Sequence, residues 1–121
     1  MKTRFLLTTF VAALLLLALG TAHPTAAEPA PRHIDILAKR FSYEPAEVTL
    51  KRGQPVVIGL KSTDVAHGIH FKELNLQAKI DKGGTGSLSF TPTQTGDFVG
   101  HCSVFCGSGH GGMTLTFHVV E

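Results

Sequence analysis

The chain has 121 residues, enough for one domain, and its 11 basic and 9 acidic side chains give a net charge of +2. This small charge, with no basic run after the N-terminal segment, argues against a nucleic-acid partner. The sequence offers no carboxylate pair, no nucleophile with an adjacent base and no phosphate-binding loop, so we do not expect an enzyme.

The N-terminal segment has the layout of a secretory signal peptide, predicted over residues 1–22 with cleavage after residue 22 or as late as residue 27. Lys2 and Arg4 precede an apolar run from Phe5 to Gly20, and small residues follow. The run is shorter than the roughly 20 residues of a spanning helix, which favours cleavage over a membrane anchor. We therefore expect a periplasmic or secreted protein with no membrane insertion after cleavage, and a membrane-anchored protein if the signal is retained.

Cleavage also changes the charge argument. The signal carries Lys2 and Arg4 and no acid, so the mature chain has nine basic and nine acidic side chains. The sequence pI of about 8.7 thus describes the precursor.

The rest of the chain divides into a flexible linker over residues 23–32, rich in Pro and Ala, and a folded domain over residues 33–121. Apolar residues alternate with polar ones in five segments of the domain, which is typical of half-buried strands. Turn signals separate these segments, so we predict an antiparallel β-sandwich or small barrel. The alternating apolar positions are Ile34, Ile36, Ala38; Val48, Leu50; Val56, Ile58, Leu60; Leu88, Phe90; and Met113, Leu115, Phe117, Val119.

The stretch Gly100–Met113, GHCSVFCGSGHGGM, concentrates the residues that carry chemistry. It holds both cysteines of the chain, Cys102 and Cys106, together with His110 and the only methionine besides the initiator. Two thiolates, an imidazole and a thioether form a soft ligand set that favours copper. Since a strand follows directly, this stretch is predicted to be a loop that a rigid sandwich holds at both ends.

A disulfide and a zinc site are the alternatives. A Cys102–Cys106 bridge would close a very small loop, stabilise the fold weakly, and leave His110 and Met113 unexplained. Zinc prefers Cys and His ligands, so the methionine argues for copper.

The segments STDVAHGIHF and GDFVGHCSVFCGSGHGGM resemble the copper domain of cytochrome c oxidase subunit II and the matching domain of nitrous oxide reductase. The earlier FSYEPAEVTLKRGQPVVI is similar to the opening strands of cupredoxins. The resemblance covers about residues 34–121. The family pattern Asp-Val-x-His, then Cys-Ser-x-x-Cys-Gly-x-x-His-x-x-Met, is matched at Asp64, Val65, His67, Cys102, Ser103, Cys106, Gly107, His110 and Met113.

This resemblance implies an all-β fold, a Greek-key β-sandwich of the cupredoxin type, with a dinuclear CuA copper centre. Cys102 and Cys106 would bridge two copper ions. His67 and Met113 would complete one ion, and His110 with the backbone carbonyl of Val104 would complete the other. The implied redox partner is a c-type cytochrome or a terminal oxidase.

The chain departs from the oxidase pattern in several places. Val104 stands where the subunit usually has Glu, and the chain has no tryptophan to serve as an entry point for electrons. The subunit's two transmembrane helices are also missing, which suggests a free-standing relative. His101 replaces a position that is often Gln, and His70, three residues after His67, should point to the opposite face of a strand.

Electron transfer is therefore the leading hypothesis. A periplasmic copper carrier or storage protein is the first alternative, and it would have a more exposed Cu(I) site. The second is a mononuclear cupredoxin that uses His67, Cys106, His110 and Met113 and leaves Cys102 idle.

Overall fold

The computed structural model describes residues 20–25 and 29–121. Residues 1–19 of the predicted signal peptide, which include all of its apolar run except Gly20, lie outside this part of the chain. Within the described ranges, no helix has the length and apolarity needed to cross a membrane. Regular structure begins at Arg32, where the predicted linker ends.

The described part of the chain forms nine strands joined by short turns, two of which are 3-10 turns, Lys72–Leu74 and His110–Gly112. The strands are β1 (Arg32–Lys39), β2 (Ser42–Glu44), β3 (Glu47–Lys51), β4 (Val56–Ser62), β5 (His67–Phe71), β6 (Leu76–Ile80), β7 (Thr85–Phe90), β8 (Gly96–His101) and β9 (Thr114–Val120).

Two sheets pack face to face, which confirms the predicted all-β sandwich. One sheet has the order β2-β1-β4-β7, and the other has the order β3-β9-β8-β5-β6. The prediction of purely antiparallel pairing is wrong for two pairs, because β1 runs parallel to β4 and β3 runs parallel to β9. For the pair β1 and β4, the cause is the position of β3 in the second sheet. The chain must leave the first sheet after β2 and cross back before β4, so it re-enters beside β1 in the same direction.

The alternation read from the sequence matches the burial of the strands. Leu115, Phe117 and Val119 of β9 are buried between the sheets, while the residues between them face solvent. The rings of Phe71 and Phe117 stack with centroids 4.2 Å apart at the centre of this core. Removing such apolar surface from water is the main force that holds the two sheets together.

Strand β5 did not show a period of two in the sequence, because four of its five residues are buried. His67 is the first residue of β5. The outward side of Gly68 is covered by the loop after β8. A Cβ atom at Gly68 would lie 2.3 Å from Ser103 Oγ and 3.0 Å from Val104 Cγ2, so only glycine allows this approach.

Candidate metal centre

Three parts of the fold converge at one end of the sandwich. His67 comes from the start of β5, Cys102 and Cys106 from the loop after β8, and Met113 from the residue before β9. The base of the loop is closed by the Cys102 N–H, which donates to the Met113 carbonyl at 3.1 Å. The rigid core strands therefore position the loop ends, as a site with fixed geometry requires.

Cys106 lies at the centre of the cluster. Its Sγ is 3.8 Å from each of three atoms: Cys102 Sγ, His110 Nδ1 and Met113 Sδ. The distance between the sulfurs is far greater than the roughly 2.05 Å of a disulfide, and both cysteines are free thiols here. The structure thus brings together the four soft or nitrogen donors that the sequence placed in one loop.

The carbonyl of Val104 faces the same cluster. The Cys102 thiol donates to this oxygen at 3.1 Å. The Val104 side chain packs instead toward Gly68 of β5. Main chain and side chain therefore have separate roles at this position.

His67 is completely buried, and its two ring nitrogens have different surroundings. Nε2 lies 2.7 Å from Asp64 Oδ1, whereas Nδ1 has no hydrogen-bond partner among the described residues. One ligand atom each from His67, Cys102 and Cys106 lies within 4.8 Å of the others. An unpaired buried nitrogen is unfavourable, so this donor set fits a metal ion that would bind Nδ1.

Asp64 fixes the orientation of the His67 ring. Burial opposes its ionisation, but hydrogen bonds from the Arg40 N–H, the His67 ring and the Val65 N–H lower the pKa of Asp64 to about 2. The carboxylate is therefore ionised at neutral pH and accepts the proton of Nε2–H, which leaves Nδ1 as the lone-pair donor. The sequence matched Asp64 to the family pattern but did not show this role.

The thiols lie in an apolar environment. Burial and the neighbouring Cys102 raise the pKa of Cys106 to about 11. Burial and the nearby Cys102 also raise the pKa of Tyr43, whose hydroxyl donates to the Gly68 carbonyl. Without a metal the Cys106 thiol holds its proton at neutral pH, so binding of a soft cation there would release a proton.

The turn between β1 and β2 holds the cysteine loop from outside. Arg40 Nε donates to the Cys106 carbonyl at 2.9 Å. The Phe41 ring packs so closely on the loop that a Cβ atom at Gly109 would lie 2.5 Å from it. Sequence reasoning missed both residues, because nothing in the sequence shows that this turn reaches the loop.

Above the cluster, the surface is apolar. Phe105 is 78% exposed, and its ring centroid lies 5.7 Å from that of the half-buried His110. A cleft of about 310 Å³ beside Phe105 is lined in part by Arg40 and Val65. His70 and His101, by contrast, lie on the outer face of their strands, away from the buried sulfurs.

Comparison with known proteins gives a consistent picture. The profile of the Cupredoxin-like domain family matches residues 9–115. The chain is 30% identical over 86 residues to cytochrome c oxidase subunit 2 of Thermus thermophilus, covering 71% of this chain and 64% of that protein. It therefore spans just under two thirds of the length of this relative.

Two solved structures illustrate the shared fold. The periplasmic domain of subunit II of cytochrome oxidase from Bradyrhizobium japonicum superposes with a TM-score of 0.68 at 18% identity, covering 78% of this chain and 88% of that one. The metal-binding domain of the Cu(I)-exporting ATPase CopA from Streptococcus pneumoniae, solved with Cu(I), gives a TM-score of 0.60 at 25% identity, covering 74% and 85%.

Proposed function

Since the chain belongs to the cupredoxin-like domain family, we propose that it is a copper-binding electron-transfer protein. The observation that carries the proposal is the buried, unpartnered Nδ1 of His67 beside the sulfurs of Cys102 and Cys106. Imidazole and thiolate ligands with a methionine form the donor set that copper prefers. The copper ligands in this proposal are His67, Cys102, the Val104 carbonyl, Cys106, His110 and Met113.

We propose a dinuclear, CuA-type centre. Cys102 Sγ lies 3.8 Å from Cys106 Sγ, and this proximity supports a centre in which both thiols hold the same ions. The Val104 carbonyl, 3.1 Å from Cys102 Sγ, supplies a further donor on that side. A mononuclear centre would leave this buried second thiol and this carbonyl without a metal to bind.

Bound copper would supply one-electron redox chemistry, and the protein would supply a fixed and dry environment. His67, Cys102, Cys106 and Met113 are each at most 5% exposed, so water is largely excluded. The Asp64 carboxylate holds the His67 ring, and Arg40 holds the Cys106 carbonyl. Ligands held in this way move little when the charge of the site changes, which favours fast electron transfer.

Electrons would enter and leave near His110, which is the more exposed of the two histidine ligands. The exposed ring of Phe105 beside His110 offers an apolar contact surface in place of the missing tryptophan. A c-type cytochrome or a terminal oxidase is the partner we propose, since the relative from Thermus thermophilus is an oxidase subunit.

A copper carrier is the second candidate, because the Cu(I)-exporting ATPase of Streptococcus pneumoniae has a metal-binding domain of this fold at 25% identity. A carrier must release its ion to a partner, which requires ligands within reach of the surface. The burial of Cys102, Cys106 and His67 favours electron transfer over copper delivery.

The test is copper counting with an EPR spectrum of the oxidised protein. We expect two coppers per chain, a purple colour and one unpaired electron shared over two copper nuclei. A blue protein with a single-copper spectrum would reject the dinuclear centre. Rapid transfer of Cu(I) to a competing protein, with no reversible oxidation, would favour the carrier.

We also propose export, with action in the periplasm or outside the cell. The subunit II domain of Bradyrhizobium japonicum that shares this fold is periplasmic. Mass spectrometry of the native protein should show that residues 1–22 are absent or, with the later cleavage site, residues 1–27. An intact Met1 in the membrane fraction would indicate an anchor.

A further inference from the structure

The outer face of the five-stranded sheet carries a row of polar side chains across four adjacent strands. His70 of β5 pairs with Gln77 of β6 on one side and with His101 of β8 on the other. His101 in turn pairs with Thr114 of β9. Paired residues of antiparallel strands point to the same face, so the four side chains project outward together.

The two histidines at the centre of this row are placed to chelate. Directly opposed residues on antiparallel strands have Cβ atoms roughly 4.5–5.5 Å apart, which lets two imidazoles reach one ion. His101 is exposed and His70 is half-buried. Neither ring has a hydrogen-bond partner within residues 29–121, whereas His118 on the same face is held by Asp97 and Glu47.

We propose that His70 and His101 form a second metal site, separate from the buried centre, that binds a divalent late transition-metal ion. Imidazole is a suitable ligand for copper, nickel and zinc. Of the divalent first-row ions, Cu(II) binds such ligands most tightly, so we expect it to occupy the site. Gln77 and Thr114 flank the pair with side-chain oxygens, and water completes the coordination.

The site is independent of the buried cluster. His101 directly precedes Cys102, but the two side chains leave the strand on opposite faces, one to solvent and one to the core. A shallow cavity of about 390 Å³ adjoins Gln77 at one end of the row and is also lined by Lys79 and Ser103, so it leaves room for water beside the row. Binding at the exposed histidine pair therefore does not depend on which metal the buried centre holds.

The experiment is dialysis of the copper-loaded, oxidised protein against a buffered series of Cu(II) concentrations, with bound copper counted at each step. We expect one further Cu(II) per chain, with an EPR signal that shows nitrogen ligands. His70→Gln and His101→Gln should each weaken this extra binding roughly 10²-fold, since chelation by two linked ligands is lost.

Matched controls use other histidines. His118→Gln removes the histidine of this sheet face that Asp97 and Glu47 hold. His23→Gln removes a histidine that would become the N-terminus after cleavage at residue 22. Both should keep the extra site, and the spectrum of the buried centre should stay unchanged in His70→Gln as a check of folding.

Three results would each overturn the proposal. The wild type could fail to bind extra Cu(II), the affinity could stay unchanged in both His70→Gln and His101→Gln, or the extra binding could be lost only in a control variant.

Discussion

Individual residues of the cluster contribute unequally, and Cys106 has the central position. Its sulfur lies next to the ligand atoms of Cys102, His110 and Met113. In the described chain, the Cys102 sulfur has only two hydrogen-bond partners, the Cys106 sulfur and the Val104 carbonyl. Cys106→Ser should therefore abolish the coloured centre. Cys102→Ser should lose the shared-electron spectrum but keep one copper.

Copper counting and EPR of the two variants provide the measurement. If both variants kept the wild-type spectrum, neither cysteine would be a ligand. If Cys102→Ser lost all copper while Cys106→Ser kept one, the order of the two thiols would be reversed.

Asp64 is expected to act on the metal only through His67. Asp64→Asn keeps the size of the side chain but weakens the charged partner of Nε2–H, and it allows the ring to adopt the other tautomer. Loss of such an outer partner typically lowers metal affinity by 10–100-fold, and we expect a decrease of about that size. Competition with a Cu(I) chelator measures it. Asp35→Asn, an exposed acid on β1, serves as the control and should leave the affinity unchanged.

At the scale of elements, the sequence predicted five strands, β1, β3, β4, β7 and β9, but not β2, β6 or β8. In β1, β3, β4 and β9 the period of two is visible because solvent covers the other face. The pattern fails in β5, since its neighbours and the cysteine loop bury both faces. The ligand loop was predictable because its donors are close in sequence, but its contact with the turn at Arg40 and Phe41 spans more than 60 residues and leaves no local signal.

The contact between this turn and the ligand loop leads to a prediction at Gly109. Its backbone conformation, with φ near −89°, is open to any residue, so the restriction comes from the adjacent Phe41 ring. Gly109→Ala forces Phe41 or the loop to move, and overpacking of this kind costs about 1–3 kcal/mol. Gly111→Ala is the matched control, because nothing lies within 4 Å of its added Cβ.

Chemical denaturation of both glycine variants measures the difference in the free energy of unfolding. We expect Gly109→Ala to be less stable and to show a shifted absorption of the copper centre, while Gly111→Ala resembles the wild type. Equal stability of the two variants would mean that the Phe41 contact does not hold the loop.

At the scale of the whole molecule, stability should depend on pH through the last strand. His118 of β9 joins both neighbouring strands, because Nδ1 lies 2.6 Å from Asp97 Oδ1 of β8 and Nε2 lies 3.4 Å from Glu47 Oε1 of β3. The hydrogen bond with Asp97, assisted by Glu47, raises the pKa of His118 above 6.5. The two partners of His118 come from distant segments of the chain, which only the sheet order β3-β9-β8 brings together.

A histidine with a raised pKa in the folded state stabilises the fold in its protonated form. This contribution is complete below the unfolded pKa of about 6.5 and is lost as pH rises through the folded pKa. The wild type should therefore exceed His118→Gln in free energy of unfolding at about pH 5.5, where Asp97 and Glu47 are still ionised. By about pH 9 the difference should be small, because neutral imidazole and Gln offer similar hydrogen bonds. His33→Gln, an exposed residue without a hydrogen-bond partner in the described structure, should show no such trend. A difference that grew toward high pH would show that neutral His118 is the stabilising form.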